Sequence, residues 1–458
     1  SPMFVGNLSE KSLIDSLCDT GLLTDQCYIA GQWRKAATDG VVDVYNPSDA
    51  TLIGSVPDLS TAEATGAVDA AQTAFPAWAQ ALPKVRAQKL RQWGALMLAE
   101  RQDLALIMTL EQGKPLPESL GEIDYAASFL DWYAGEAERL NVEGITPHLE
   151  GCDMRVSRVP AGVAALITPW NFPSAMITRK AGAALAVGCT VVVKPAPETP
   201  FSALALAVLA ERAGIPAGVF NVITGDAPLL AKTLCDDLRV RALSFTGSTR
   251  VGKQLLQWSA PTLKRVSLEL GGHAPFIVFD DVDIEHAVTD AVAAKFQTSG
   301  QDCLAANRIY VHDSIYADFC QRYAAATNSL KVGDGLSHGT DIGPLMHQGA
   351  IDKCLQHVDD ARDKGAQVLA GGGRHALGGL FFEPTVLADV TPDMAISSEE
   401  TFGPVAALSS FSSEDQVIEL ANATEYGLAA YLYTRDGARA ARLASRLEFG
   451  MVAVNRVK

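Results

Sequence analysis

The sequence has no uninterrupted apolar stretch of transmembrane length, and its amino-terminal region lacks the basic-then-apolar pattern of a secretory signal. It also lacks paired cysteine spacings: Cys18, Cys27, Cys152, Cys189, Cys235, Cys303, Cys320 and Cys354 are scattered, with no CxxC among them. In a chain of 458 residues that spread argues against a disulfide framework and a zinc ribbon, and for reduced thiols in the cytosol. The eight histidines show no HExxH or clustered ligand spacing, so no metal is implied. Positive charge is scarce, with 37 basic against 53 acidic residues and a net charge of −16. That balance disfavours nucleic acid and anionic membrane as partners. What the chain does have is apolar material: 48% hydrophobic residues against 20% charged, enough for two or three domain cores at this length. The expectation is a cytoplasmic protein without a metal. Ser1-Pro2 ahead of Met3 reads as a cloning remnant.

Residues 61–139 read as helical. An Ala-rich segment begins at Thr61, and 84–112 repeats Leu90, Trp93, Leu96, Met97, Leu104 and Ile107 at helical spacing until Gly113-Lys-Pro115 stops it. A third helix is expected from Glu118 to Leu140. Between 141 and 159, Gly and Pro breaks flank short alternating runs, which predicts a projecting hairpin. From residue 160 short β-branched runs (163–168, 189–194, 219–223, 242–246) alternate with Ala/Leu-rich helices (174–187, 199–213, 227–236). This alternation is that of a parallel doubly wound sheet. A second series, at 276–279, 305–313, 366–370, 404–411, 428–434 and 450–454, predicts a second α/β domain.

Three strings carry chemistry. Gln-Thr-Ser-Gly-Gln-Asp-Cys ends at Cys303, Leu-Glu-Leu-Gly-Gly places Glu269, and Pro-Trp-Asn-Phe-Pro places Asn171. A thiol, a carboxylate and a side-chain amide are the groups needed to oxidise an aldehyde through a thioester. Most cysteines in a large intracellular protein are small buried hydrophobes. Cys303 fits that description poorly, because Gly-Gln-Asp reads as a polar loop. Phosphate binding is suggested where Phe245-Thr-Gly247-Ser248 follows an apolar run and opens a helix. The same string approaches a Walker A loop, Gly247 to Gly252-Lys253, but Gln254 replaces the hydroxyl that would hold magnesium. A nucleoside triphosphatase is therefore the alternative from another class. Lys194-Pro-Ala-Pro ends another strand, where ligands bind in such folds.

Taken together, Thr168-Pro-Trp-Asn-Phe-Pro173, Lys194-Pro, Phe245-Thr-Gly-Ser-Thr, Leu268-Glu-Leu-Gly-Gly272, Gly300-Gln-Asp-Cys303 and Glu399-Glu-Thr-Phe-Gly-Pro404 resemble the aldehyde dehydrogenase superfamily, in order and spacing, from about residue 27 onward. The resemblance implies a Rossmann-like NAD(P)-binding domain (1–139 and 160–268), an oligomerisation hairpin (140–159) and an α/β catalytic domain (269–458). It implies Cys303 as nucleophile, Glu269 as base and Asn171 as oxyanion donor. Cofactor contacts are implied at Thr168, Pro169, Trp170, Lys194, Ala196, Pro197, Gly247, Ser248, Leu270, Glu400 and Phe402. A homodimer or tetramer is implied through the hairpin. His273 is expected to be structural, since Glu269 already fills the base role.

Within the superfamily the chain looks most like succinate-semialdehyde dehydrogenases, through Asn171-Phe-Pro-Ser-Ala-Met-Ile-Thr-Arg-Lys180. Arg179 then corresponds to an arginine that holds the distal carboxylate of the substrate, a role suited to a guanidinium. A second arginine of those enzymes is Gln297 here, and their second thiol is Ala305, so glutarate semialdehyde or an uncharged aldehyde stays open and that redox switch is expected to be absent. The family's Gly-rich segment and last strand would follow Asn455, but the sequence ends at Lys458. Pro197 stands where NAD-selective members carry a Glu, with Glu198 one residue on, which predicts NADP accepted at least as well as NAD.

Overall fold

The computed structural model describes residues 16–457; the Ser1-Pro2-Met3 start and Lys458 lie outside the described residues. Two compact units emerge. One comprises the segment up to Asn46, Thr51–Gln112 and Ser119–Glu269; the other comprises Pro47–Ala50, Gly113–Glu118 and Leu270 onward. The residues around 113, grouped by sequence with the first domain, thus belong with the second. Gly113 is wedged against Pro47 and Pro344, and Leu116 N–H donates to the Gly335 carbonyl at 3.0 Å.

The first unit contains β1 (Cys27–Ile29), β2 (Gln32–Arg34), β3 (Val41–Tyr45), β4 (Leu52–Pro57), β5 (Glu143–Ile145), β6 (Met154–Val156), β7 (Val163–Ile167), β8 (Thr190–Lys194), β9 (Phe220–Val222), β10 (Val240–Thr246) and β11 (Arg265–Glu269). Its main sheet runs β11-β10-β7-β8-β9-β1-β2, with β7 to β11 parallel and β1 and β2 added antiparallel. After β9 the chain returns across β8 and β7 to lay β10 on the far side of β7, so the winding reverses between β7 and β10. In such sheets ligands bind outside the carboxyl ends at that reversal. The central strands β7, β8 and β9 are buried at every residue, as expected of strands covered on both faces. Helices Ala175–Val187, Pro200–Arg212, Ala227–Asp236 and Thr249–Ser259 make the crossovers. β5 and β6 pair as an antiparallel hairpin, exposed along nearly its whole length.

The helical region begins at Thr61–Gln80, capped by Ser60, whose hydroxyl accepts from Glu63 N–H while the Glu63 carboxylate accepts from Ser60 N–H. The single helix expected over 84–112 is two, Pro83–Ala99 and Arg101–Gln112. Glu100 at φ −100°, ψ 20° breaks it, while its N–H and carbonyl still bond to Leu96 and Leu104. The apolar period therefore runs through unbroken, which is why it reads as one helix.

The second unit contains β12 (Ala274–Val278), β13 (Ala306–His312), β14 (Gln367–Ala370), β15 (Thr385–Ala388), β16 (Val405–Phe411), β17 (Ala429–Tyr433) and β18 (Met451–Val454). Their order is β14-β15-β16-β13-β12-β17-β18, parallel except for β14. This winding also reverses, between β12 and β17. At the carboxyl end of that reversal Asp281 accepts from Thr434 Oγ1 at 2.8 Å and from the N–H groups of Arg435 and Asp436 at 3.1 and 3.2 Å.

Candidate active site

In the first unit the catalytic and cofactor candidates lie at the carboxyl ends of parallel strands, while Arg179 sits in the helix Ala175–Val187. Thr168, Pro169, Trp170 and Asn171 follow β7, Lys194 ends β8 with Ala196 and Pro197 behind it, Gly247 and Ser248 follow β10, and Glu269 ends β11. Thr168 N–H donates to the Lys194 carbonyl at 3.2 Å and Gly247 N–H to the Glu269 carbonyl at 3.0 Å, which ties the loops together in pairs. Ser248 is exposed and caps the helix Thr249–Ser259, accepting from Val251 N–H at 3.3 Å. That leaves a helix amino terminus, with its partial positive charge, open beside the reversal of the sheet.

This edge fits a dinucleotide. Thr168 Oγ1 is buried without a hydrogen-bond partner, and the buried Lys194 ammonium donates to the Pro195 carbonyl at 3.2 Å. Burial pushes the Lys194 pKa down to about 8, against the pull of Glu198 and Asp226. A buried cation and an orphaned hydroxyl at one strand edge favour a ligand rich in oxygen atoms.

Two of the most informative side chains were not legible in the sequence. Glu122, on the helix Leu116–Ala137, accepts from Ser174 and Ala175 N–H at 2.9 and 3.1 Å and so caps the helix that follows Asn171. Glu111 does the same for the helix after Lys194, accepting from Phe201 and Ser202 N–H at 2.9 and 2.7 Å. Burial pushes its carboxyl up to about 8. No local signal marks either glutamate, since Ser174 and Thr199 read as ordinary caps by residue type and the structure shows that neither side chain makes the capping bond. Glu122→Ala leaves two buried donors without an acceptor, a loss of about 2 kcal/mol or more, and an unchanged urea midpoint would contradict the role.

Glu269 is held by three groups. Arg179 Nη2 stands 2.8 Å from Oε1, Thr246 Oγ1 donates to Oε2 at 2.8 Å, and Lys180 Nζ lies 3.8 Å from Oε2. Burial lowers the Lys180 pKa to about 8, and Glu269 opposes that shift. Arg179 also lies over the Phe129 ring, 5.7 Å from its centre.

In the second unit the candidates gather at the amino ends of strands: Leu270 before β12, Cys303 before β13, Glu400 and Phe402 before β16. Cys303 is half-buried, but the preceding polar loop is not a surface loop, since Gln301 and Asp302 are buried. Their polar atoms are used internally: Gln301 Oε1 accepts from Met346 N–H at 3.0 Å and Asp302 Oδ1 from Leu304 N–H at 2.8 Å. The approach to the thiol is a left-handed run, Thr298 (φ 52°), Ser299 (φ 56°) and Gly300 (φ 74°). Two non-glycine residues in that region are costly and are held there by contacts. Glu118 accepts from Thr298 N–H at 2.7 Å, and Ser299 Oγ donates to the Gly343 carbonyl at 2.8 Å. A Cβ at Gly300 would meet the Gly403 carbonyl at 2.1 Å, and one at Gly272 the Cys303 carbonyl at 2.1 Å.

Glu400 Oε2 accepts from Gly272 N–H at 2.7 Å, and burial raises its carboxyl to about 7. Phe402 takes φ 55°, and Gln297 is exposed. His273 is buried, with Nε2 3.0 Å from the Ser397 carbonyl and Nδ1 3.3 Å from Asn307 Nδ2. Burial, with Arg308 nearby, depresses its pKa to about 3, so it is a neutral bracket. Beneath it the fully buried Lys295 donates to Asn307 Oδ1 at 2.9 Å, and Asn307 Nδ2 donates to the Gly272 carbonyl at 3.3 Å. Among the described residues no group of His, Cys, Asp and Glu could hold a metal ion, and no helix is long and apolar enough to cross a membrane.

Comparison with known proteins agrees with this arrangement. Residues 33–458 match the model of the aldehyde dehydrogenase family. The chain is 54% identical over 447 residues to a non-phosphorylating aspartate-semialdehyde dehydrogenase of Halomonas elongata, covering 98% of this chain and 91% of that protein. It is 52% identical over 439 residues to the NADP(+) succinate-semialdehyde dehydrogenase GabD of Escherichia coli, covering 96% and 91%. A crystal structure of an E. coli NADP-dependent enzyme superposes with a TM-score of 0.95 at 51% identity, over 96% of this chain and 92% of that one. With thiol, carboxylate and amide each at a strand end and the sheet reversal open to a dinucleotide, the chain belongs to the aldehyde dehydrogenase family.

Proposed function

We propose that this aldehyde dehydrogenase oxidises a short carboxylated aldehyde, succinate semialdehyde first, with NADP accepted at least as well as NAD. The observation that supports the substrate class is Arg179, a part-exposed guanidinium whose present partner is itself a carboxylate. Cys303 attacks the aldehyde carbonyl as thiolate, and Asn171 with the Cys303 N–H receives the developing oxyanion. A nicotinamide dinucleotide, when bound, supplies the hydride acceptor. Its phosphates would be held at Gly247 and Ser248, its adenosine end by Lys194, Ala196 and Pro197, and its nicotinamide end by Thr168, Pro169, Trp170, Leu270, Glu400 and Phe402. Glu269 then takes a proton from water to hydrolyse the thioester.

The test is kcat/KM across succinate semialdehyde, glutarate semialdehyde and propanal, each with both cofactors. Succinate semialdehyde is expected to lead, and the neutral aldehyde to trail by about tenfold or more, the worth of one charge-assisted hydrogen bond. A panel led by propanal would overturn the substrate reading. For the cofactor, Pro197 supplies no carboxylate to repel a 2′-phosphate, although Glu198 follows it. An NAD preference of about a hundredfold or more, roughly 2.7 kcal/mol, would show that the phosphate is rejected.

The hairpin of β5 and β6 exposes Val142, Ile145, Leu149, Val156 and Val159, the last at 77%. So much apolar surface on an isolated ribbon supports assembly into a homodimer or tetramer through it. A monomer by light scattering would contradict that. None of the eight cysteines is in a disulfide, which supports a cytoplasmic setting.

A further inference from the structure

Glu269 is more constrained than a free base would be. Its two oxygens are directed at Arg179 and Thr246, with Lys180 behind them. The Arg179–Glu269 pair is only part-buried, with side-chain exposures of 36% and 29%, and it lines a cavity of about 520 Å³ that Tyr133, Lys180 and Arg265 also border. The Arg179 contact takes one lone pair of Oε1 and turns the carboxylate toward the guanidinium, and so away from any other proton donor on that side. The guanidinium that holds it is the group assigned above to the carboxylate of the substrate. A second carboxylate on the same guanidinium shares its charge with Glu269 and weakens the single Nη2–Oε1 contact.

We infer that Arg179 is a substrate-operated release for the base: the distal carboxylate of the bound aldehyde displaces Glu269 from Arg179, so recognition of the substrate frees the group that completes the reaction. The inference rests on the reading of Arg179 as the carboxylate anchor. Phe129 keeps the guanidinium in place through the exchange, since its ring lies on Arg179 independently of Glu269. The step that benefits is hydrolysis. Glu269 takes one proton from water, the oxygen bonds to the thioester carbonyl carbon, the carbon–sulfur bond breaks, and Cys303 leaves as thiolate. No electrons are transferred. A neutral acyl group leaves the Arg179–Glu269 pair closed and is hydrolysed more slowly, so discrimination appears in turnover as well as in binding.

The step can be watched without cofactor. The full chain is acylated at Cys303 by 4-nitrophenyl acetate, which gives a burst of nitrophenolate, and the linear phase that follows reports hydrolysis. Arg179→Gln is expected to speed the linear phase by about two- to fivefold, the worth of a part-exposed ion pair. Sodium propionate is expected to speed it similarly in the wild type and to have no effect on the variant. In the same variant kcat/KM for succinate semialdehyde falls by about tenfold or more. A linear phase that is unchanged or slower in Arg179→Gln, or unmoved by propionate in the wild type, overturns the release. An unchanged kcat/KM for succinate semialdehyde overturns instead the carboxylate reading beneath it.

Discussion

Cys303→Ala is expected to abolish aldehyde oxidation, by at least about 10⁴-fold, while NADPH still binds with its wild-type affinity. The size follows from the chemistry. Without the thiolate there is no covalent adduct from which a hydride can depart, and neither the oxyanion donors nor the base has an intermediate to act upon. Cofactor affinity should survive because the side chains assigned to the dinucleotide stand on other segments. Alanine also fits the site, since the close contact with Gly272 involves the Cys303 carbonyl and not its sulfur. Steady-state assay and titration of NADPH fluorescence separate the two quantities. Turnover clearly above the uncatalysed rate would exclude the thioester route.

Asn171→Asp is expected to lower kcat by about 10³-fold, and Asn171→Ala by about 10²-fold, with little change in KM. The aspartate variant is the sharper test because it keeps shape and replaces an N–H donor with a negative charge where negative charge must develop. Asn171 is buried in the loop between β7 and the helix Ala175–Val187, whose amino terminus is fixed by Glu122, so the substitution should not displace the loop. Equal rates for the aspartate and alanine variants would mean that Asn171 does not face the oxyanion.

Much of this was legible in the sequence because it depends on local patterns. The buried strands β7 and β8 are β-branched or Ala/Leu-rich runs ended by Pro, Lys or Gly, so motif and strand end are read together. Short or polar strands were not seen: β1 has three residues, β15 has four, and β11 alternates Arg265, Val266 and Ser267 at the edge of its sheet. The carboxylates that shape the site were equally hidden. Glu111, Glu118 and Glu122 sit on helices where a Glu is ordinary, and their partners are 90, 180 and 52 residues away. No periodicity encodes such a distance. The burial of Gln301 and Asp302 was missed for a related reason, since polarity predicts exposure only until internal hydrogen bonds replace water.

The two sheets reverse their winding in the same manner, yet only the first leaves its carboxyl edge open to an anion. In the second, Asp281 already occupies the corresponding N–H groups of Arg435 and Asp436. The protein therefore carries a resident anion where a second phosphate would otherwise settle. This fixes a stoichiometry: calorimetric titration should find one nucleotide per chain. The chemistry proposed for the second unit lies at the opposite edge of its sheet, where Cys303 precedes β13.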